Sequence, residues 1–185
     1  TTMSLLWWLS LRTGRLFKPE QAKTSDFSAL KSVALIGLII VVLQVMLGGW
    51  TSSNYAALHC NEFPTCTGGK YFPPMNFSEG FTLIHEFGKN YEFGVTSNEA
   101  RIAIHTTHRI GAVITALFIM WLGIKILLTP AYRPIKNMGI ALLTIVVLQF
   151  ILGVSNVLLS LPLLVAVAHN GGGALLILTL VTLNH

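Results

Sequence analysis

Four long stretches of this chain are nearly free of charge. Val33 to Trp50, Met138 to Leu159 and Pro162 to Leu183 contain no Asp, Glu, Lys or Arg, and Ile102 to Leu128 carries only His105, His108, Arg109 and Lys125 as ionisable groups. Each is about as long as the roughly 20 residues a helix needs to cross a hydrocarbon core of roughly 30 Å. In lipid the backbone has no water to bond to, so such runs are predicted as helices, which satisfy their own N–H and C=O groups. The expected fold is an all-α membrane protein: a four-transmembrane-helix bundle with spans at about 31–53, 101–128, 137–160 and 162–185 and a long extracytoplasmic loop over 54–100. The opening stretch Thr1 to Leu11 is apolar and Trp-rich, too short to span and without a signal-peptide layout. Residues 1–27 are therefore expected to be the end of a preceding transmembrane helix plus a cytoplasmic linker, and 28–185 the four-helix unit.

Composition agrees with this pattern. Of 185 residues 53% are hydrophobic and 10% charged, with a mean hydropathy of +0.68, far from the make-up of soluble domains. Arg12, Arg15, Lys18, Lys23 and Lys31 precede the first span, and Lys125, Arg133 and Lys136 bracket the turn between the second and third. Five of the seven acidic residues fall between Thr51 and Arg101. Basic loops are retained in the cytoplasm, so loop 54–100 is expected on the periplasmic side of a bacterial inner membrane. The net charge of +5 is then a topology signal. Lipid is the expected surroundings and nucleic acid is not a partner. Trp50, Tyr55, Tyr71 and Phe72 suit an outer interfacial belt.

A weak internal repeat organises the spans. LQVMLGG at Leu43 to Gly49 matches LQFILGV at Leu148 to Val154, and His108 with Gly111 and Ala112 matches His169 with Gly172 and Gly173. First pairs with third and second with fourth, a parallel repeat with a pseudo-two-fold axis expected along the membrane normal.

The repeat turns two histidines into a site. His108 and His169 each lie about six residues into their predicted spans, so at roughly 1.5 Å per residue both imidazoles are expected about 9 Å below the helix start. Two imidazoles facing each other in a helical bundle can ligate a haem iron axially. A single intramembrane histidine is often only a packing residue; two at related depths are not so readily explained that way. Gly111 and Gly172 fall on the histidine-bearing faces, leaving room for a porphyrin or a close helix neighbour. His105 lies three residues before His108 on nearly the same face, but nothing equivalent precedes His169, so the repeat favours His108 as the ligand. Arg109 has two readings, a propionate partner or a side chain reaching the headgroups. Gln44 and Gln149 occupy equivalent intramembrane positions that can bond across helices or to a ligand edge, with interhelical packing as the default reading, while His59, His85 and His185 lie at the surface or chain end. Cys60 and Cys66, the two cysteines, both fall in the outer loop, where three readings are open: a disulfide staple, a redox-active pair, or free thiols. The paired spacing of a zinc site is missing. A haem with both axial positions filled suits electron transfer better than oxygen activation.

LGGWTSSNYAALHCNEFPTC, AIHTTHRIGA and AHNGGGALL together resemble haem A synthase, a membrane enzyme family of cytochrome oxidase assembly. The likeness runs from Ser28 to His185. It implies eight transmembrane helices in two similar halves, this chain resembling the second half. It further implies oxidation of a methyl group of haem O to the formyl of haem A, with a haem b (iron) held here by His108 and His169 and passing electrons. Implied partners are the haem O substrate, haem O synthase, and a quinol or other electron donor. In the family's substrate-side half a Glu stands three residues before the histidine of the HR motif; His105 holds that position here. None of the seven acidic residues falls in a predicted span, so the catalytic carboxylate is expected to be missing and His105 is left as a group beside the site. The cysteine pair matches one found in part of the family, with the staple as the default reading. A stand-alone electron-transfer cytochrome b and a haem carrier or oxidase assembly scaffold are the alternative functions.

Overall fold

Why the four apolar runs end where they do explains most of the architecture. A computed structural model describes residues 2–13, 24–82, 96–130 and 133–185. Among them are six helices: α1 (Thr2–Thr13), α2 (Thr24–Ser53), α3 (Phe77–Gly80), α4 (Asn98–Leu128), α5 (Arg133–Leu158) and α6 (Leu163–Asn184). The four long ones, α2, α4, α5 and α6, are all long and apolar enough to cross a membrane. Arg15, Lys18, Lys23, His85 and Lys89 lie outside the described residues.

Helices α2 and α5 stop in the same way. At the end of α2, Tyr55 adopts φ 54°, its N–H donates to the Ser52 carbonyl at 3.2 Å, and the Ala56 N–H donates to the Thr51 carbonyl at 2.9 Å. At the end of α5, Ser160 adopts φ 56°, its N–H reaches the Val157 carbonyl at 3.3 Å, and the Leu161 N–H reaches the Asn156 carbonyl at 2.8 Å. Both are Schellman caps, which satisfy the carbonyls a helix end would otherwise orphan. Neither uses glycine. The two caps sit at the same offset as the LQ-containing repeat segments, so the internal repeat extends to the helix ends. After the second cap Pro162 leads straight into α6, its carbonyl accepting from the Ala166 N–H at 3.0 Å.

The chain divides into two compact units: residues 1–42, 115–149 and 170–185 form one, and 43–114 with 150–169 form the other. The first unit has a core from all four long helices: Leu30, Ala34 and Val41 of α2, Ile119, Leu122 and Ile126 of α4, Leu142 and Val146 of α5, and Leu176, Leu180 and Leu183 of α6. Lipid tails are as apolar as these side chains, so close packing rather than water exclusion stabilises the contact. Glycines make it close. A Cβ on Gly123 of α4 would lie 2.7 Å from Leu143 Cγ and 3.2 Å from the Gly139 carbonyl oxygen of α5, and a Cβ on Gly139 would lie 3.2 Å from the Gly123 oxygen. In the same unit the Trp7 indole N–H of α1 donates to Thr182 Oγ1 at 2.8 Å, and Lys125 lies over the Trp121 ring at 5.0 Å.

The second unit carries a knotted-down loop. Cys60 and Cys66 are joined as a disulfide with Cα atoms 4.2 Å apart, which removes the free-thiol reading. Glu62 folds the segment back on itself: its carboxylate accepts from Thr65 Oγ1 at 2.8 Å, from the Gly68 N–H at 3.0 Å and from the Gly69 N–H at 2.9 Å. Gly68 and Gly69 both have positive φ, 58° and 70°, a turn that side chains would strain. Further on, Asn76 caps α3, and the Trp50 indole donates to the Gly80 carbonyl at 2.9 Å. The Glu79 carboxylate then accepts from the Ser97 N–H and hydroxyl, each at 2.6 Å. That contact starts α4 at Asn98, ahead of the expected residue 101.

Two of these contacts lead to expected outcomes. Gly123→Val should lower the unfolding midpoint in detergent, since overpacking of this kind costs about 1–3 kcal/mol; an unchanged midpoint would contradict the glycine contact. The Gly69 N–H and then the Thr65 hydroxyl hold the Glu62 carboxyl below its ordinary value of 4.5. A depressed carboxyl supports the fold while ionised, so its contribution is full above that value and is lost as pH falls through the lower, folded-state one. Hydrogen exchange at the Gly68 and Gly69 amides should therefore show protection relative to Glu62→Gln at neutral pH, and the difference should vanish only well below pH 4.5.

Candidate functional site

Helix α4 presents two chemically different faces within the second unit. One, at the four-residue spacing of Arg101, His105 and Arg109, faces the disulfide loop. Arg109 donates three hydrogen bonds to loop carbonyls, from Nη1 to Thr65 O at 2.9 Å and from Nη2 to Cys60 O at 2.6 Å and Glu62 O at 2.9 Å. His105, 4% exposed, accepts at Nδ1 from the Cys60 backbone N–H at 3.3 Å, so its neutral ring carries the proton on Nε2. Thr106 Oγ1 lies 3.6 Å from Cys60 Sγ. Arg101 Nη1 is 3.4 Å from His59 Nε2; burial, and then the Arg101 charge, hold His59 below the usual imidazole range.

These contacts revise the expected uses of the charged side chains. Arg109 was expected at a propionate or the headgroups, whereas its guanidinium is directed at backbone carbonyls of the loop. Those acceptors are what a cation in a membrane-embedded helix requires. His105 and His108 do not act on a common face: His105 belongs to the loop and His108 does not.

The second face of α4 meets α2. A Cβ on Gly48 would lie 3.2 Å from His108 Cε1, so the imidazole rests directly on the α2 backbone. Gln44, one turn earlier, places its side-chain Nε2 3.0 Å from His108 Nδ1 and 2.9 Å from the His108 carbonyl oxygen. Gly111 of α4 packs against the Gln44 amide oxygen. Helices α5 and α6 repeat the histidine contact, a Cβ on Gly153 falling 3.3 Å from His169 Cε1. In the other unit Gly172 packs against the Gln149 amide. Gly111 and Gly172 each face a glutamine amide of a neighbouring helix. The glycines under the imidazoles are Gly48 and Gly153.

His108 and His169 lie in the same unit. Their match is not the expected one of distance from the helix start. Because α4 begins at Asn98 and α6 at Leu163, His108 lies ten residues into its helix and His169 six. The equivalence is carried by Gly48 and Gly153 instead. Among the described residues no three His, Cys, Asp or Glu side chains converge on a common point. A two-imidazole set suits a metal whose remaining positions are filled by a macrocycle.

Sequence reasoning did not find the Gln44–His108 bond, the Arg109 clasp or the Glu79–Ser97 cap. The repeat marked Gln44 and His108 separately, without joining them. Nothing in the sequence signals the other two.

Comparison with known proteins bears on the whole chain. The haem A synthase of Shewanella oneidensis is 42% identical over 185 residues, covering 99% of this chain and 54% of that protein. That of Flavobacterium psychrophilum is 29% identical over 178 residues, covering 96% and 48%, and that of Wolbachia pipientis wMel 28% identical over 152 residues, covering 82% and 38%. The chain thus spans about half the length of the curated relatives it matches. No solved structure matches. Residues 1–181 match the COX15-CtaA family of cytochrome oxidase assembly proteins, and with helices, histidines and loop arranged as above, the chain belongs to that family.

Proposed function

We propose that this chain is the electron-supplying half of a haem A synthase, holding a haem b between His108 and His169, while oxidation of the haem O methyl group takes place elsewhere in the full-length protein. The observation that carries the reading is the matched seating of the two imidazoles, each with Cε1 over a glycine of the neighbouring helix at 3.2 and 3.3 Å. A side chain at either glycine would push its ring out of place, and both rings belong to one unit. A haem with two histidine ligands has no open coordination position and supplies one-electron transfer.

The chain's own residues do the rest. His108 and His169 present the donor nitrogens. His105 has its Nδ1 committed to the Cys60 backbone N–H, a donor that, unlike the side-chain amide beside His108, cannot turn to present an acceptor, and it is therefore the poorer candidate for the metal. Arg109 fixes the disulfide loop onto the same turn of α4 that bears His108, so the loop is a structural cover beside the site. The absence of an intramembrane carboxylate in the expected position, where His105 stands, supports placing the oxidation chemistry outside this half.

Orientation is argued from charge. Arg12 and Lys31 precede or begin the first apolar run and Lys125, Arg133 and Lys136 bracket the connection between α4 and α5, whereas Glu62, Glu79 and Glu99 fall between the end of α2 and the first turn of α4. Basic segments stay in the cytoplasm, which puts the disulfide loop on the periplasmic side, where the Cys60–Cys66 bond is chemically at home.

His108→Ala and His169→Ala should each abolish the low-spin haem spectrum of the purified protein, while His105→Ala retains it; loss confined to His105→Ala would overturn the ligand assignment. Arg109→Gln should keep the haem but loosen the loop. One hydrogen bond from a charged group contributes about 1.5–3 kcal/mol, so reduction of Cys60–Cys66, followed by thiol labelling, should accelerate by about tenfold or more.

A further inference from the structure

We propose that Gln44 is the positioning residue of His108: the orientation of its side-chain amide decides which nitrogen of the imidazole carries the proton, and so how strongly the ring donates to iron. The inference rests on the reading of His108 as an axial ligand.

The hydrogen-bond geometry defines one orientation. The Gln44 Nε2 lies 2.9 Å from the His108 carbonyl oxygen, which can only accept, so the amide nitrogen donates there. Its second hydrogen points to His108 Nδ1 at 3.0 Å, which must then be an unprotonated acceptor. The neutral ring accordingly has its proton on Nε2. That tautomer is closed to coordination through Nε2. A metal-bound histidine normally carries its proton on the other nitrogen and donates it to an oxygen acceptor, which fixes the ring and raises its basicity.

The acceptor is already in place. Gln44 Oε1 is buried and has no hydrogen-bond partner, a costly arrangement for a polar atom in an apolar setting. It packs against Gly111, where a Cβ would collide with it, so a glycine at 111 is what admits the amide. A half-turn about the terminal side-chain torsion, which has two broad wells, exchanges Oε1 and Nε2. Oε1 then accepts from an Nδ1–H, and the Nε2 lone pair of the ring is released for iron. The ring keeps one proton throughout: it leaves Nε2 and an equivalent proton is taken up at Nδ1. Because the His108 carbonyl oxygen lies 2.9 Å from the present place of the amide nitrogen, the turned amide must also tilt so that Oε1 leaves that carbonyl and faces Nδ1–H alone, while the carbonyl keeps its backbone bond within α4. Gln44 thus stabilises a ligand-free tautomer in one orientation and a coordinating tautomer in the other.

The test uses the full chain with haem bound, comparing the unaltered protein with Gln44→Leu, Gln44→Glu and His108→Ala by redox titration, by electron paramagnetic resonance of the oxidised low-spin signal, and by haem titration. Gln44→Leu removes the acceptor. It should weaken haem binding by about 10–100-fold, the usual consequence of losing such a partner, and raise the midpoint potential, because a less basic ring favours the reduced iron. Gln44→Glu offers a stronger acceptor to Nδ1–H and should lower the potential. Opposite signs would not arise from a packing role. Potentials and resonance signals unchanged in both variants, or shifted in one common direction, would overturn the inference while loss of haem in His108→Ala left the ligand reading standing. Retention of the low-spin haem in His108→Ala would overturn both.

Discussion

A guanidinium placed in a membrane-embedded helix must find acceptors, and much of the second unit is arranged around how Arg109 finds them. Its three bonds go to carbonyls of Cys60, Glu62 and Thr65, oxygens that converge because the disulfide and the Glu62 carboxylate have already curled that segment into a tight turn. The dependence runs both ways. The loop supplies the desolvated cation with oxygen, and the cation ties the loop to α4. With Arg109 and His105 turned toward the loop, the remaining side of that helical turn is free to lay His108 on α2. One helix therefore serves two tasks without competition between its neighbouring polar side chains.

The four spans were legible because nothing but hydrophobicity was needed to see them; uncharged runs of such length have few alternatives in lipid. The histidine pair was legible through repetition, since a short pattern that recurs in two helices identifies positions even when no contact is known. The partners of Arg109 were not, because they lie 44 to 49 residues away in a loop whose path depends on the disulfide. The early start of α4 was likewise hidden, set by a carboxylate 18 residues upstream. Arg109 shows the limit of reasoning from adjacency: its place beside His108 in sequence suggested a shared task, but successive helical residues point about 100° apart.

Glutamine and glycine illustrate a third level, equivalence without assignment. Gln44 and Gln149 were recognised as a matched pair, and Gly111 and Gly172 as another, yet sequence alone could not say that each glutamine fills the space left by a glycine. At Gln44 the pairing also joins the amide to the His108 ring. It turns a stripe of small residues, easily read as cofactor clearance, into a hydrogen-bonding device.

The two Schellman caps lead to very different chain paths. After Tyr55 the polypeptide runs through dozens of residues before α4 begins; after Ser160 it re-enters a helix almost at once. Because the stop is built from the helix's own last turn, it is indifferent to the length and course of the connection beyond it. A long connection and a short one are therefore equally compatible with the same seating of each histidine against its glycine.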